Sequence, residues 1–302
     1  MNETADNPVI CAVEPNSECQ LVIQAANAVA QQRQCGLTLI HVVKPLWQPY
    51  VDVNFTPLFE AQLATENELV EEARQKLQSL TDDLVDIENR AVSLLVKKGD
   101  PVTLISELAE AHAEPIIVMG VHNRHGLKRL LGSTAHGVLN HTTCPMVLVN
   151  PHNSCRKAYQ NVLVAVDTAC EMDTVLNHAR PYIGGAEHTL VLTMVPSLAA
   201  TLGNLQASVF ASSWPIADLQ ENMRQATETT LGQAATAAGL ERSNTQVLEG
   251  DPAHNICQTA SDRDTDLIIM GAGRRNVVDR LLIGSTAHGV LNSTPCDVYI
   301  AR

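Results

Sequence analysis

Two stretches of this sequence combine glycine, hydroxyl and basic side chains in a way that suits phosphate. They are Gly120-Val-His-Asn-Arg-His-Gly-Leu-Lys-Arg-Leu-Leu-Gly132-Ser133-Thr134 and Gly271-Ala-Gly-Arg-Arg-Asn-Val-Val-Asp-Arg-Leu-Leu-Ile-Gly284-Ser285-Thr286. Glycine lets a backbone approach an anion closely, and Ser and Thr supply hydroxyls. The free N–H groups of an opening helix turn positive charge towards the anion. Arg124, Lys128, Arg129, Arg274, Arg275 and Arg280 place six of the chain's 20 basic residues in these two loops. The same pattern also fits helix starts flanked by a solvated basic face. Two acids form a second group: Glu14 closes the apolar run VICAV and Asp167 closes VLVAV. Each suits hydrogen bonds from a ribose or adenine, or a plainer role as a helix cap or turn acid.

These residues occupy equivalent places because the chain repeats itself. Residues 132–140, GSTAHGVLN, recur unchanged as residues 284–292. VICAVE (9–14) answers VLVAVD (162–167), KKGDP (97–101) answers LEGDP (248–252), and IIVMG (116–120) answers LIIMG (267–271). A period near 150 residues is too long for a solenoid, so a whole domain is duplicated. The expected domains are residues 1–152 and 153–302, joined through the polar stretch at 150–154, and a length of 302 residues suits two cores.

Within the first half, short apolar runs predict strands at 9–13, 37–43, 91–96, 115–119 and 146–149. Helical patterns fill 17–34, 60–83, 101–113 and 133–141, the third opened by Asp100-Pro101 as N-cap and first helical residue. Strands apolar throughout imply helices on both faces of a parallel sheet. The expected class is therefore α/β: two tandem doubly wound domains, each a Rossmann-like five-stranded parallel sheet. In such a sheet ligands bind beyond the carboxyl ends of the strands, where the connections change direction.

Composition narrows the function classes. A formal charge of −13 disfavours general attraction to nucleic acid or an anionic bilayer. No apolar run reaches the ~20 residues of a membrane span, and the opening Met-Asn-Glu-Thr-Ala-Asp does not read as a signal peptide, so a cytoplasmic protein is expected. The eight cysteines include no C-x-x-C pair and read as buried thiols rather than disulfides or zinc ligands. His122 and His125 lie among basic neighbours, which argues against a metal site. The twinned His136 and His288 follow their serines by three residues and read either as phosphate contacts or as retained surface residues. No Ser/His/Asp or Cys/His arrangement stands out, so no catalytic residue is assigned.

Trp47, Tyr50, Phe55, Phe59, Phe210 and Trp214, six of nine aromatics, all follow the second strand of their half. They suit a cover over a ligand, an apolar cavity for a hydrophobic small molecule, or a structural anchor. The last strands, 145–150 and 297–302, are apolar edges that invite pairing, between the halves of one chain or between the chains of a homodimer.

Taken together, the acid after the first strand, the G-D-P, the I-I-V-M-G strand, the Gly-Ser-Thr-Ala helix start and the closing C-P-M-V-L-V run resemble the universal stress protein family. Each half resembles one such domain, and the whole resembles the tandem type. In ATP-binding members the loop follows G-x-x-G-x(9)-G-[ST], the strand acid meets the nucleoside, and a residue ending the second strand lines the adenine pocket. The resemblance then implies Gly271, Gly284, Ser285, Thr286 and Asp167 as nucleotide contacts in the second half. Arg274 stands at the second glycine's place, with Gly273 one residue early and Arg275 beside it. In the first half it implies Gly120, Gly132, Ser133, Thr134 and Glu14, with Asn123 in the second glycine's place, Arg124 after it, and only eight residues from Asn123 to Gly132. The adenine-lining positions are Val42 and Val43 in the first half and Met194 and Val195 in the second. The expected function is a stress-response sensor or protective module that binds an adenine nucleotide, ATP with or without Mg²⁺, mainly in the second domain. Hydrolysis is expected to be slow or absent. The alternative is a nucleotide-independent scaffold for a protein partner or hydrophobic ligand.

Overall fold

The computed structural model describes residues 8–16, 18–45, 56–85, 91–121, 131–150, 158–168, 172–183, 188–195, 197, 216–273 and 283–302. The chain divides into two compact units, and the division falls between Ala158 and Tyr159.

The first unit runs β1 (Val9–Ala12), α1 (Cys19–Arg33), β2 (Leu37–Val43), α2 (Thr56–Val85), β3 (Val92–Lys98), α3 (Pro101–Glu110), β4 (Ile116–Gly120), α4 (Ser133–His141) and β5 (Met146–Val149). Its strands are ordered β3-β2-β1-β4-β5, and every neighbouring pair is parallel. The second unit repeats this order with β6 (Asn161–Ala165), α5 (Met172–Ile183), β7 (His188–Val195), α6 (Ile216–Ala237), β8 (Thr245–Glu249), α7 (Pro252–Asp262), β9 (Leu267–Gly271), α8 (Ser285–Ser293) and β10 (Asp297–Ala301). Its strands are ordered β8-β7-β6-β9-β10, again all parallel. The expected α/β doubly wound class is the one observed.

Hydropathy explains the layering. Central strands such as β1 (VICA) and β4 (IIVM, before Gly120) are buried along their length, since helices cover both faces. A fully buried Ile such as Ile10 or Ile117 contributes about 1.5–3 kcal/mol over an exposed one. The outer strands β3 and β8 are only half-buried and end in Lys97, Lys98 and Glu249, charges that discourage further pairing at an edge. Lys98 forms an ion pair with the buried Glu66 carboxylate of α2, which ties that helix to the edge strand.

The twinned G-D-P motifs open α3 and α7. Asp100 accepts a hydrogen bond from the Thr103 amide at 2.9 Å, and Asp251 accepts one from the His254 amide at 2.8 Å. Pro101 and Pro252 take the first helical position, where no amide partner is needed. The repeated nonapeptide places Ala135, Val138 and Leu139 of α4, and Ala287, Val290 and Leu291 of α8, in the core. Its second glycine lets paired helices touch: a Cβ at Gly137 would overlap Val102 of α3, and one at Gly289 would overlap Ala253 of α7.

Candidate functional site

In each unit the chain leaves its first strand for one side of the sheet and returns to build the fourth strand on the other. β1 lies between β2 and β4, and β6 lies between β7 and β9. The loops beyond their carboxyl ends therefore diverge, and a cavity opens between them. The first unit's cavity is about 720 Å³ and the second's about 440 Å³, both within the range of small-molecule sites.

In the first unit Glu14, Val43, Gly120, Gly132, Ser133 and Thr134 surround the cavity. In the second, Asp167, Gly271, Gly273, Gly284, Ser285 and Thr286 do so. Val195 does not join them. It is buried in the core, and Thr193 and Met194 before it reach the cavity instead. Arg274, Arg275, Asn123 and Arg124 lie outside the described residues, as do His122, His125, Lys128, Arg129, Arg280, Trp47, Tyr50, Phe55, Phe210, Trp214 and the side chain of Phe59. His136 and His288 are exposed on α4 and α8, and the His136 ring meets the Asn140 amide at 2.9 Å on its own helix.

The two helix starts at the cavities differ from those of α3 and α7. Gly132 and Gly284 are the N-cap residues of α4 and α8, and neither start has a side-chain cap. The first-turn amides that Asp100 and Asp251 satisfy elsewhere are here turned towards a cavity, the arrangement that suits an anion. The second cavity has a further constraint. Gly273 holds φ at +103°, and a Cβ on it would stand 2.9 Å from the Gly284 Cα. The Gly284 amide donates to the Ala272 carbonyl at 2.7 Å, which fixes the loop against the start of α8. In the first unit Gly120 serves packing as well, since a Cβ there would press on Val22 of α1 at 3.0 Å.

Other residues at the cavities are not singled out by sequence motifs. His41 and Thr193 occupy the same place, two residues before the end of the second strand. The His41 ring Nδ1 lies 2.8 Å from the Val13 carbonyl oxygen, and the Thr193 hydroxyl donates to the Val166 carbonyl at 2.8 Å. Each bond fixes the carbonyl immediately before the strand acid, Glu14 or Asp167, and so positions that acid at the cavity. A comparison of the second strands of the two halves would have paired them. Lys44 and Lys76 also line the first cavity, and Lys76 donates to Glu72 at 2.7 Å, which draws the Glu72 carboxyl below its usual range. Cys19, at the start of α1, has its thiol pushed up by burial and stays protonated.

Comparison with known proteins agrees with this architecture. The model of the universal stress protein family matches residues 7–150 and again residues 158–302. The chain belongs to the universal stress protein family, with two such domains in tandem. Over 141 residues it is 31% identical to universal stress protein A homolog 2 of Coxiella burnetii, a match covering 47% of this chain and 91% of that one. A putative universal stress protein of Staphylococcus epidermidis is 30% identical over 151 residues, covering 48% and 85%. Among solved structures, a universal stress protein of Archaeoglobus fulgidus superposes with a TM-score of 0.64 at 16% identity, covering 98% of both chains. A functionally unknown protein of Pseudomonas aeruginosa superposes at 0.65 with 20% identity, covering 99% and 93%. Among the described residues no helix is long and apolar enough to cross a membrane.

Proposed function

We propose that this protein is a stress-response sensor or protective module that binds an adenine nucleotide, ATP, mainly in the cavity of the second domain. The observation that carries this reading is the company kept by that cavity: Asp167 on one side, and the uncapped first turn of α8 held against Gly273 on the other. A carboxylate accepts hydrogen bonds from ribose hydroxyls, and a row of free amides at a helix start receives phosphate oxygens. Ser285 and Thr286 add hydroxyls at the same end, and Met194 and Ile256 supply apolar wall for a base.

The chain's own groups can bind and orient such a ligand, and Mg²⁺ would be carried on the nucleotide phosphates. Among the described residues no group of three or more His, Cys, Asp or Glu side chains is placed to hold a metal ion. The reading is that of a binding protein, and no residue is assigned a proton-transfer role.

The test is to purify the protein without added ligand, denature it, and identify what is released by mass spectrometry. Release of an adenine nucleotide supports the reading. Release of a hydrophobic compound instead would favour a nucleotide-independent scaffold.

A further inference from the structure

The peptide that leads into Asp167 is tied to the neighbouring strand at both ends of Val166. The Val166 amide donates to the Leu192 carbonyl at 2.9 Å, and the Val166 carbonyl accepts from the Thr193 hydroxyl at 2.8 Å. Thr193 is 1% exposed, stands at the cavity wall and spends its one hydroxyl proton on this bond. A peptide unit is planar, so fixing the direction of the Val166 carbonyl also orients the amide and Cα of Asp167. Val166 is buried and Asp167 exposed, so the acid meets the cavity from an anchored backbone.

The first unit makes the same contact with a different side chain. The Val13 amide donates to the Ile40 carbonyl at 3.0 Å, and the His41 ring Nδ1 lies 2.8 Å from the Val13 carbonyl oxygen, one residue before Glu14. A hydroxyl and an imidazole differ in size and shape, yet both reach the carbonyl next to the strand acid. What the two halves share at this position is the contact and not the residue. In the second unit that contact orients the acid which the nucleotide reading sets against ribose hydroxyls.

We propose that Thr193 is a positioning residue through which the second cavity selects ribonucleotides over nucleotides that lack the ribose hydroxyls. This rests on the nucleotide reading given above and deepens it by naming the class of sugar. Thr193 acts through Val166: with the peptide held, the Asp167 carboxylate stands where ribose hydroxyls donate to it. Without the Thr193 hydroxyl the Val166–Asp167 peptide can turn, and that hydrogen bonding is lost. The phosphate end at the start of α8 and the apolar wall given by Ile256 of α7 lie on other elements and are left as they are. Removing the hydroxyl therefore weakens binding of ATP and spares an analogue that makes no ribose hydrogen bond.

The experiment titrates ATP, and separately its dideoxy analogue lacking both ribose hydroxyls, into the full chain with ¹³C-labelled methionine methyl groups observed by NMR. Met194 and Met270 line the second cavity and Met119 the first, so the second site is read apart from the first. Met194→Leu and Met270→Leu assign the signals by their loss. The wild type is expected to bind ATP at least about tenfold more tightly than the analogue, the ratio of one hydrogen bond to a charged acceptor. Thr193→Val and Thr193→Ala should each bring that ratio below about threefold and leave the analogue's affinity within about twofold of the wild type's. Thr193→Ser, which keeps the hydroxyl, should retain the preference. In Asp167→Ala, where the ratio is already lost, adding Thr193→Val should change it no further. A hydroxyl that served packing alone would, on removal, weaken both ligands equally. That result, or an undiminished preference in folded Thr193→Val or Thr193→Ala, overturns the proposal. Equal binding of the two ligands by the wild type also overturns it and leaves nucleotide binding standing. No response of Met194 or Met270 to ATP in the wild type defeats the nucleotide reading and the proposal together.

Discussion

Gly273 and Gly284 meet backbone to backbone at the mouth of the second cavity: a Cβ on Gly273 would fall 2.9 Å from the Gly284 Cα, and one on Gly284 would fall 3.1 Å from the Gly273 Cα. Neither residue has room for a side chain, and Gly273 also needs a positive φ of +103°. Gly273→Ala is expected to destabilise the protein by more than about 1 kcal/mol and to weaken ATP binding in the second domain, because the start of α8 must shift. Gly239→Ala is the control: its φ is +87° but no atom lies within 4 Å of the added carbon, so it reports backbone strain without crowding. Denaturant unfolding of both variants, with ATP calorimetry, separates the two effects. Equal losses of stability and unchanged binding would mean that the close approach is not what shapes the site.

Buried polar contacts should matter more than surface ion pairs. The Tyr159 hydroxyl donates to the buried Asp297 carboxylate at 3.0 Å, and burial next to that carboxylate holds the phenol well above its ordinary range. Tyr159→Phe removes a donor to a buried charge and should cost about 1–3 kcal/mol. By contrast Arg224→Ala, which breaks the exposed Arg224–Glu228 pair on α6, should change stability by less than about 0.5 kcal/mol. Unfolding curves in urea measure both.

The cap of α3 predicts a particular pH dependence. Asp100 accepts bonds from both the amide and the hydroxyl of Thr103, each at 2.9 Å, and these hold its carboxyl below the usual range. A depressed carboxylate stabilises the fold above the unfolded-state value, and that stabilisation is lost as pH falls through the folded-state value. Asp100→Ala should cost about 1 kcal/mol at neutral pH, and its stability should converge with the wild type's in acid, below the ordinary carboxylate range near about 4. Parallel curves down to pH 2 would contradict this.

Cys11 and Cys296 are buried, and burial pushes both thiols far above the ordinary range. Since the thiolate is the reactive form, iodoacetamide at pH 8 should leave both unmodified in the folded chain and alkylate them rapidly in 6 M guanidinium. Peptide mass spectrometry reads the two states. Modification of Cys11 without unfolding would contradict the packing of β1 against α1.

The elements around these sites were readable because each carried a local signal. IIVMG and LIIMG are too uniformly apolar for a half-exposed strand, and G-D-P states a cap and a helix start in three letters. The unchanged nonapeptide also has a physical basis: it carries the uncapped start, the core face and the glycine that meets the neighbouring helix. What was not legible depends on neighbours distant in sequence. The partner of His41 is the Val13 carbonyl, 28 residues away, and that of Thr193 is Val166, 27 away. Met194 and Val195 are equally apolar, and nothing in their types tells that the first lines the cavity and the second is buried in the core. Gly273 stands one residue before the second-glycine position of the motif, and its close approach to Gly284 is a contact that the spacing alone does not state.

Calorimetric titration of ATP into the wild type at pH 8, and into Gly284→Glu/Ser285→Ala and Asp167→Ala checked by thermal unfolding, addresses nucleotide binding in the second domain. Binding by the wild type, with at least about a tenfold loss in both variants while they remain folded, is the expected result, since each removes contacts worth about 1.4 kcal/mol or more. No binding by the wild type, or undiminished binding in folded variants, would contradict it.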